Sequence, residues 1–302
     1  MSQKTVAVIL CTYNGEKYIR EQVDSILAQS WTRLHLYIQD DCSTDGTMEA
    51  LRFCQDDPRV TACRSGRNLG YPGSFYDLLS RTDGEDYYAF SDQDDVWEKG
   101  KLERAVNLLE QADESRPAVA FANYEVCDEN LNTLRISAGP NRKPDFLYSL
   151  YACLGLGFAM VINRAARKLI TERQSVKTST KDVWIGMCCT AFGEAFFDPV
   201  PCAKHRRNAG AFSSQDRNFL QIQRDRIRKF VFGDEFSYVY AVMQEFEEMF
   251  REELPEEREK ELLFFLNRGF PHRFRKVFYP RRLRYAFSDE IMLRMVFLTG
   301  KL

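Results

Sequence analysis

Histidine is scarce in this chain: only three occur in 302 residues, at positions 35, 205 and 272. That scarcity excludes the His-rich ligand sets of zinc catalysis. The nine cysteines (11, 42, 54, 63, 127, 153, 188, 189 and 202) contain no Cys-x-x-Cys pair. Their odd number, with several inside apolar runs, points to reduced thiols in a cytoplasmic protein. An excess of one charge is also missing. The 42 Lys and Arg residues against 44 Asp and Glu leave a net charge of −2, so no global field draws nucleic acid, and no nucleic-acid partner is expected. No Gly-x-x-x-x-Gly-Lys-Ser/Thr loop and no Gly-x-Gly-x-x-Gly turn follows the first strand-like run, which removes the P-loop and dinucleotide-binding readings. The N-terminus passes from Lys4 straight into an apolar run, without the charged-apolar-small pattern of a signal peptide. The longest uncharged stretch, Phe146–Asn163, has 18 residues, near the lower limit for a membrane span. Ser149, Gly155, Gly157 and Asn163 interrupt it, and it reads as a buried strand and loop.

What is present is an alternation of strand-like and helix-like segments. Val6–Cys11 is a continuous apolar run, as expected of a parallel strand covered on both faces. Thr12-Tyr-Asn-Gly15 breaks it. Ile19, Val23, Ile26 and Leu27 then fall on one helical face. Leu34–Ile38 predicts a second strand, ending in Asp40-Asp41. Ser43-Thr44-Asp45 supplies capping residues for a helix carried by Met48, Leu51 and Phe53. A third strand near Val60–Cys63 leads to Arg67-Asn-Leu-Gly70, and Phe75, Leu78 and Leu79 mark the next helix. Tyr87–Ser91 predicts a fourth strand, followed by a helix through Leu102, Ala105, Val106 and Leu109. Four such units in about 110 residues predict an α/β protein with a mostly parallel sheet flanked by helices.

In sheets of this kind ligands bind beyond the carboxyl ends of the strands. Three polar motifs sit there: Thr12-Tyr-Asn14, Asp40-Asp41 and Asp92-Gln-Asp-Asp95. Carboxylates packed this closely repel one another unless a cation sits among them. Mg²⁺ or Mn²⁺ takes one or two carboxylates and fills its remaining positions with water and substrate phosphate. Asp92, Asp94 and Asp95 are therefore candidate metal ligands, and the cluster reads as a metal-diphosphate site. Further on, Ala118–Ala122 is strand-like, and Lys181-Asp-Val-Trp184 precedes an apolar helical run.

The strings Val8-Ile-Leu-Cys-Thr-Tyr-Asn-Gly-Glu-Lys-Tyr-Ile19, Gln39-Asp-Asp-Cys-Ser-Thr-Asp-Gly-Thr47 and Ser91-Asp-Gln-Asp-Asp-Val-Trp97 resemble the family 2 inverting glycosyltransferases, and most of all their bacterial rhamnosyltransferase-type branch. The resemblance covers about residues 5–215 and implies a GT-A fold: a mixed, mostly parallel sheet with a nucleotide-sugar half (1–110) and an acceptor half (111–215). Residues 216–302 would form a C-terminal helical appendage. Carried over by residue, Thr12, Tyr13, Asn14, Asn68 and Gln93 would belong to the nucleotide-sugar site, and Asp41 would accept the N3–H of uracil or thymine. Asp92 and Asp94 would be the metal-diphosphate pair, with a divalent Mg²⁺ or Mn²⁺ as cofactor. Asp182 stands where the family places its catalytic base, with Lys-Asp-Val-Trp in place of the usual His-Asp-Trp-Trp. Where relatives carry Tyr-Arg-x-His, this chain reads His205-Arg-Arg-Asn208. Either Asn208 ligates the metal, or His205, Arg206 and Arg207 neutralise the diphosphate.

The resemblance implies transfer of a sugar, rhamnose from dTDP-rhamnose in the first instance, to a cell-surface polysaccharide or lipid-linked acceptor. A UDP-hexose or UDP-galactofuranose donor is the alternative, because thymine and uracil share the edge that Asp41 would read. A phospho-receiver module and a catalytically dead membrane-surface scaffold are the readings from other classes. Between residues 268 and 284 there are seven Arg or Lys residues and no acid, interleaved with Phe270, Phe274, Phe278 and Tyr279. Basic residues among aromatics predict peripheral binding to the anionic inner face of the membrane. The competing expectation is that the aromatics pack on the catalytic domain and leave the Arg heads in water.

Overall fold

The structure is a computed structural model and describes residues 4–140, 142–178, 180–207 and 235–302. Its first strand, β1 (Val6–Thr12), has every residue buried except the half-buried Cys11. The reason is that both faces are covered. Ala7 and Ile9 point into one apolar core, and Val6, Val8 and Leu10 into another on the opposite side of the sheet. A strand alternates its side chains between faces, so only an unbroken apolar run can serve both cores.

The remaining strands of the main sheet are β2 (Leu34–Asp40), β3 (Val60–Arg64), β4 (Tyr87–Ser91), β6 (Ala118–Ala122), β9 (Met160–Asn163) and β10 (Glu194–Asp198), with β5 (Val96–Trp97) lying outside it. Their order is β10-β6-β9-β4-β1-β2-β3. All neighbours are parallel except β9, which runs antiparallel to both β4 and β6. The chain builds outward from β1 through β2 to β3, then returns to place β4 on the other side. That reversal opens a crevice at the carboxyl ends of β1, β2 and β4. The register sets Thr12 beside Asp40 and Leu10 beside Ser91, so the three polar motifs meet at one edge. A smaller sheet joins β5, β11 (Ala203–Arg206), β7 (Glu125–Cys127) and β8 (Thr133–Ile136) in the order β5-β11-β7-β8.

Helices α1 (Ile19–Leu27), α3 (Gly73–Arg81), α4 (Lys101–Leu109), α6 (Arg164–Glu172) and α7 (Lys181–Phe192) flank the main sheet. Two sequence expectations change here. The helix through Met48, Leu51 and Phe53 is one α-turn, α2 (Thr47–Ala50), continued as a 3₁₀ turn over Leu51–Cys54. Asp45 Oδ1 accepts the Thr47 N–H at 3.1 Å to start it, and Asp57, accepting the Arg59 N–H at 2.9 Å, begins the turn into β3. The stretch Phe146–Asn163 is not a strand and loop alone. It opens as a helical turn, α5 (Phe146–Ser149), because Asp145 caps the Tyr148 N–H at 2.9 Å. Only Met160–Asn163 is strand, inserted into the sheet as β9 with all four residues buried.

The C-terminal part is helical: α8 (Glu235–Phe250), α9 (Glu256–Leu266), α10 (Phe270–Val277) and α11 (Phe287–Thr299). Phe246 and Phe250 of α8 pack against Trp184 and Phe192 of α7, which joins this part to the main core. The expected division at 215/216 lies outside the described residues. Among the described residues no helix is long and apolar enough to cross a membrane. All nine cysteines are free of disulfides.

The basic stretch meets the expectation of packed aromatics and solvated Arg heads only in part: Tyr285 stacks on Tyr148 and Arg275 and Arg282 are exposed, but other members are placed the opposite way. Lys276 is buried, with Nζ donating to the Phe265 carbonyl at 2.6 Å. Arg281 pairs with Asp145 and Glu261 at 2.7 and 3.0 Å. Arg268 donates to the Lys301 carbonyl and stacks 3.5 Å from the Tyr240 ring centre. Cations here tie the helices together, and Phe270, Phe278 and Phe287 stand 69%, 80% and 71% exposed.

Candidate active site

The crevice at the switch point is a cleft of about 230 Å³ lined by Cys11, Thr12, Tyr13, Asp41, Tyr71, Ser74, Phe75, Asp92 and Gln93. Its floor is fixed by side chains that the sequence marked for the ligand. Gln93 Oε1 accepts from Thr12 Oγ1 and from the Tyr13 N–H, both at 2.8 Å, and Gln93 Nε2 donates to the Tyr13 carbonyl at 3.2 Å. This bolts the end of β1 to the acidic loop after β4. Asn14, at φ 50, accepts the Thr44 N–H at 2.8 Å and receives Ser43 Oγ on its own N–H at 2.9 Å, joining the loop after β1 to the loop after β2.

Asp41 does similar work one loop further on. Its Oδ1 accepts the Leu69 N–H at 2.8 Å and Ser65 Oγ at 3.2 Å, and its Oδ2 accepts the Gly70 N–H at 2.8 Å. Asn68 Nδ2 donates to the Asp41 carbonyl at 3.0 Å. Asp41 thus shapes the 65–70 loop while one side of it lines the cleft. Its neighbour Asp40 is fully buried, accepting the Ser43 N–H at 3.1 Å and pairing with Arg64 at 3.4 Å, so it is structural.

Asp92 lines the cleft and Asp94 is half-buried beside it. Among the described residues no three His, Cys, Asp or Glu side chains converge on one point. A hard divalent cation needs no more than one or two carboxylates, with phosphate and water completing its shell, and Asp92 and Asp94 would supply them. Asp95 turns the other way. It is buried, and its Oδ1 accepts from His205 Nδ1 at 2.8 Å. Burial pushes the Asp95 carboxyl up to about 6, with the His205 hydrogen bond opposing.

The histidine-arginine string does not collect at the cleft. Arg206 is buried, donating to the Asp94 carbonyl at 2.9 Å and pairing with Glu21 while stacking 4.6 Å from the Tyr18 ring centre. It clamps the backbone of the acidic loop from behind, so a direct contact with diphosphate is not its placement. Arg207 is half-buried, with its backbone N–H on the Cys127 carbonyl at 2.9 Å. Asn208 lies outside the described residues.

Asp182 occupies the first turn of α7 and is only 6% exposed. Its Oδ1 has no hydrogen-bond partner. Gly157 approaches so closely that a Cβ there would overlap both Asp182 Oδ1 and Lys181 Nζ. Burial raises the Asp182 carboxyl above the ordinary carboxylate range, the Lys181 ammonium pulling the other way and Asp92 adding to the rise. Lys181 is the residue sequence reasoning passed over. It is 2% exposed, lies 3.5 Å from Asp182 Oδ1, and its Nζ sits 3.8 Å from the Phe75 ring centre and 4.8 Å from that of Tyr71. Burial disfavours its charge, yet Asp182 and then Asp92 more than compensate, so its pKa lies above the usual lysine value. Since Phe75 and Tyr71 also line the cleft, this ammonium lies under its wall. The only sequence signal was the replacement of His by Lys before Asp182.

A glycosyltransferase of the GT-A class is what a switch-point cleft with a paired-carboxylate loop and a buried carboxylate on α7 defines. Residues 7–173 match the profile of Glycosyl transferase family 2, and the chain belongs to that family. Similar curated proteins include TuaG of Bacillus subtilis (strain 168), named for teichuronic acid biosynthesis and 38% identical over 40% of this chain. Another is the dTDP-rhamnosyl transferase RfbG of Shigella flexneri, 38% identical over 33% of this chain. The matches span 47% and 36% of those two proteins, less than half of either. The fold is shared with residues 1–349 of S. aureus TarS, solved with UDP, at a TM-score of 0.59 and 19% identity, covering 88% of this chain and 72% of that one. It is shared as well with the mannosyltransferase PcManGT of Pyrobaculum calidifontis, solved with GDP-Man and Mn²⁺, at a TM-score of 0.55 and 16% identity, covering 99% and 86%.

Proposed function

We propose that the chain transfers a hexosyl group from a nucleoside diphosphate sugar to a saccharide hydroxyl with inversion at the anomeric carbon. The observation that carries this is the buried Asp182 carboxylate, whose Oδ1 lies 3.5 Å from the Lys181 ammonium under the wall of the switch-point cleft. In the reaction Asp182 takes the acceptor O–H proton, the acceptor oxygen attacks the anomeric carbon, and the bond from that carbon to the diphosphate breaks with its electron pair leaving on the nucleotide. A divalent cation on Asp92 and Asp94 would supply charge neutralisation at the leaving diphosphate. Thr12, Tyr13 and Gln93 shape the nucleotide end of the cleft, and Lys181 places positive charge behind it.

Within this reading the donor is dTDP-rhamnose in the first instance, with UDP-hexose or UDP-galactofuranose as the alternative. RfbG, named for dTDP-rhamnosyl transfer, supports the first, and TarS, solved with UDP, supports the second. Residues 1–110 would then serve as the nucleotide-sugar half and 111–215 as the acceptor half. The acceptor would be a saccharide of the cell surface or its lipid-linked precursor, and the enzyme would work from the cytoplasmic side as a peripheral protein. Support for the last point is the apolar face of α10 and α11. Phe287, Ile291, Met295 and Leu298 form one exposed stripe at helical spacing, next to exposed Phe270, Phe274 and Phe278. The test of the activity is a panel of sugar nucleotides screened by melting shift and by nucleoside diphosphate release. A donor that shifts the melt and turns over supports the reading; no shift and no release with any donor would end it.

A further inference from the structure

A second cavity, of about 360 Å³, lies apart from the donor cleft and shares no lining residue with it. Its wall includes Cys153, Leu154, Gly155 and Leu156, and the next residue, Gly157, packs against Asp182 so closely that a Cβ there would overlap its Oδ1. The wall of this cavity is thus one residue along the chain from a backbone that lies against the buried carboxylate.

The lining has the composition of a sugar site. Tyr124, Tyr148 and Phe197 offer aromatic faces, and such faces in a small pocket with a few convergent polar groups fit a small-molecule ring. The rings are held in place. Tyr148 stacks on Tyr285 at 3.8 Å between centroids, Phe197 lies 5.3 Å from Phe121, and Tyr124 packs edge-on against Phe158 at 5.1 Å. Ser137 is positioned by the Tyr124 N–H at 2.9 Å and by Asn123 Oδ1 at 3.1 Å. The single charged side chain in the lining is Arg135, and no carboxylate accompanies it. It is exposed and makes no ion pair among the described residues. An aromatic pocket whose charge is one planar guanidinium matches a carboxylate or phosphate oxygen pair.

We propose that this cavity is the acceptor site and that it selects a saccharide bearing an anionic group, which Arg135 reads while Tyr124 and Tyr148 pack on the sugar ring. The inference rests on the transferase reading above and adds the acceptor's class to it. The anion has two sources with shared chemistry: a uronic acid carboxylate on a polysaccharide end, or the diphosphate of a lipid-linked sugar.

The experiment is saturation-transfer NMR on the full chain with three soluble probes: a glucuronate-terminated disaccharide, the matching glucose-terminated disaccharide, and a short-chain prenyl diphosphate sugar. Binding is read without turnover, so it stands apart from the donor screen. The expected result is saturable binding of one or both anionic probes at least tenfold tighter than the neutral one. Which anionic probe binds identifies the source. Arg135→Gln, on an exposed strand, should erase that preference and leave the donor's melting shift unchanged, and Arg135→Lys should restore part of it. Equal binding of neutral and anionic probes, no binding of any probe, or an Arg135→Gln protein with the preference intact would each overturn the proposal.

Discussion

Lys181 Nζ lies 3.5 Å from Asp182 Oδ1, with the two side chains 3% and 9% exposed. Adjacent residues on a helix do not normally face each other. Here Lys181 is led back by the rings of Phe75, Tyr71 and Phe90, whose centres stand 3.8, 4.8 and 5.5 Å from its ammonium. The base of the proposed reaction is thus buried with its counter-charge already attached, which is the arrangement that sets its pH behaviour.

Asp182 acts as a base only when ionised, and burial lifts its pKa above the ordinary carboxylate value. The kcat/KM profile should therefore rise with pH through an apparent pKa above about 4. Asp182→Asn should remove that limb and lower kcat by about 10²–10⁴-fold while donor affinity stays put. Lys181→Met removes the cation that opposes the upward shift, so the acid limb should move to higher pH. An unmoved limb in Lys181→Met would show that the two charges do not govern each other; a loss in Asp182→Asn confined to donor affinity would make Asp182 structural.

Gly157→Ala places a methyl group where Asp182 Oδ1 and Lys181 Nζ now stand. Both side chains must move, and misplacement of a catalytic group by about 1 Å costs on the order of 10²-fold in rate. Steady-state kinetics should show the fall in kcat with donor KM nearly unchanged. Wild-type kcat in this variant would mean that the pair has room to shift without consequence.

Asp94→Ala should abolish transfer, and chelator should suppress the wild-type protein, with Mn²⁺ or Mg²⁺ restoring it. The reason is that in the proposed reaction Asp92 and Asp94 hold the cation that neutralises the leaving diphosphate. Full activity in chelator would hand the neutralisation of the diphosphate to protein cations, of which Lys181 is the nearest to the cleft wall.

Asp41→Asn should loosen the 65–70 loop. The carboxylate accepts from Leu69, Ser65 and Gly70, and an amide nitrogen in place of one oxygen sets donor against donor. Leaving a buried N–H unmet costs about 1–3 kcal/mol. Calorimetry should register a melting point lower by several degrees, and donor KM should rise because the loop borders the cleft. A variant with wild-type melting and wild-type KM would show that Asp41 neither holds the loop nor meets the donor.

Vesicle co-sedimentation tests the apolar face of the C-terminal helices. Because Lys276, Arg281 and Arg268 are engaged inside the protein, binding should depend more on apolar insertion than on salt. Replacing Phe287 and Ile291 together by Ser should reduce the bound fraction severalfold without changing the melting point. Undiminished binding in that variant would move the contact elsewhere, and no binding by the wild type would remove it.

The alternation of strands and helices and the acidic rim at the strand ends were legible in the sequence because each is a local fact. An apolar run such as Val6–Leu10 predicts a strand covered on both faces, and a polar residue at its end predicts the rim, whatever the partner is. Asp41, Asp92 and Gln93 could be placed at the cleft on those grounds. Their division of labour could not, since Gln93 bonds to Tyr13 from 80 residues away and Arg206 meets Glu21 from 185 residues away. The Phe146 turn was misread because one capping hydrogen bond, from Tyr148 to Asp145, outweighs the apolar pattern over so few residues.

The sequence by itself determined the sheet, the family and the carboxylates. Tertiary structure alone decided that Lys181 turns inward, that Arg206 holds the acidic loop by its backbone, and that Lys276 is buried while Phe270 and Phe278 face outward. A side chain's direction depends on which charges and rings from distant segments come within a few ångströms of it, and residue spacing along the chain carries no record of that.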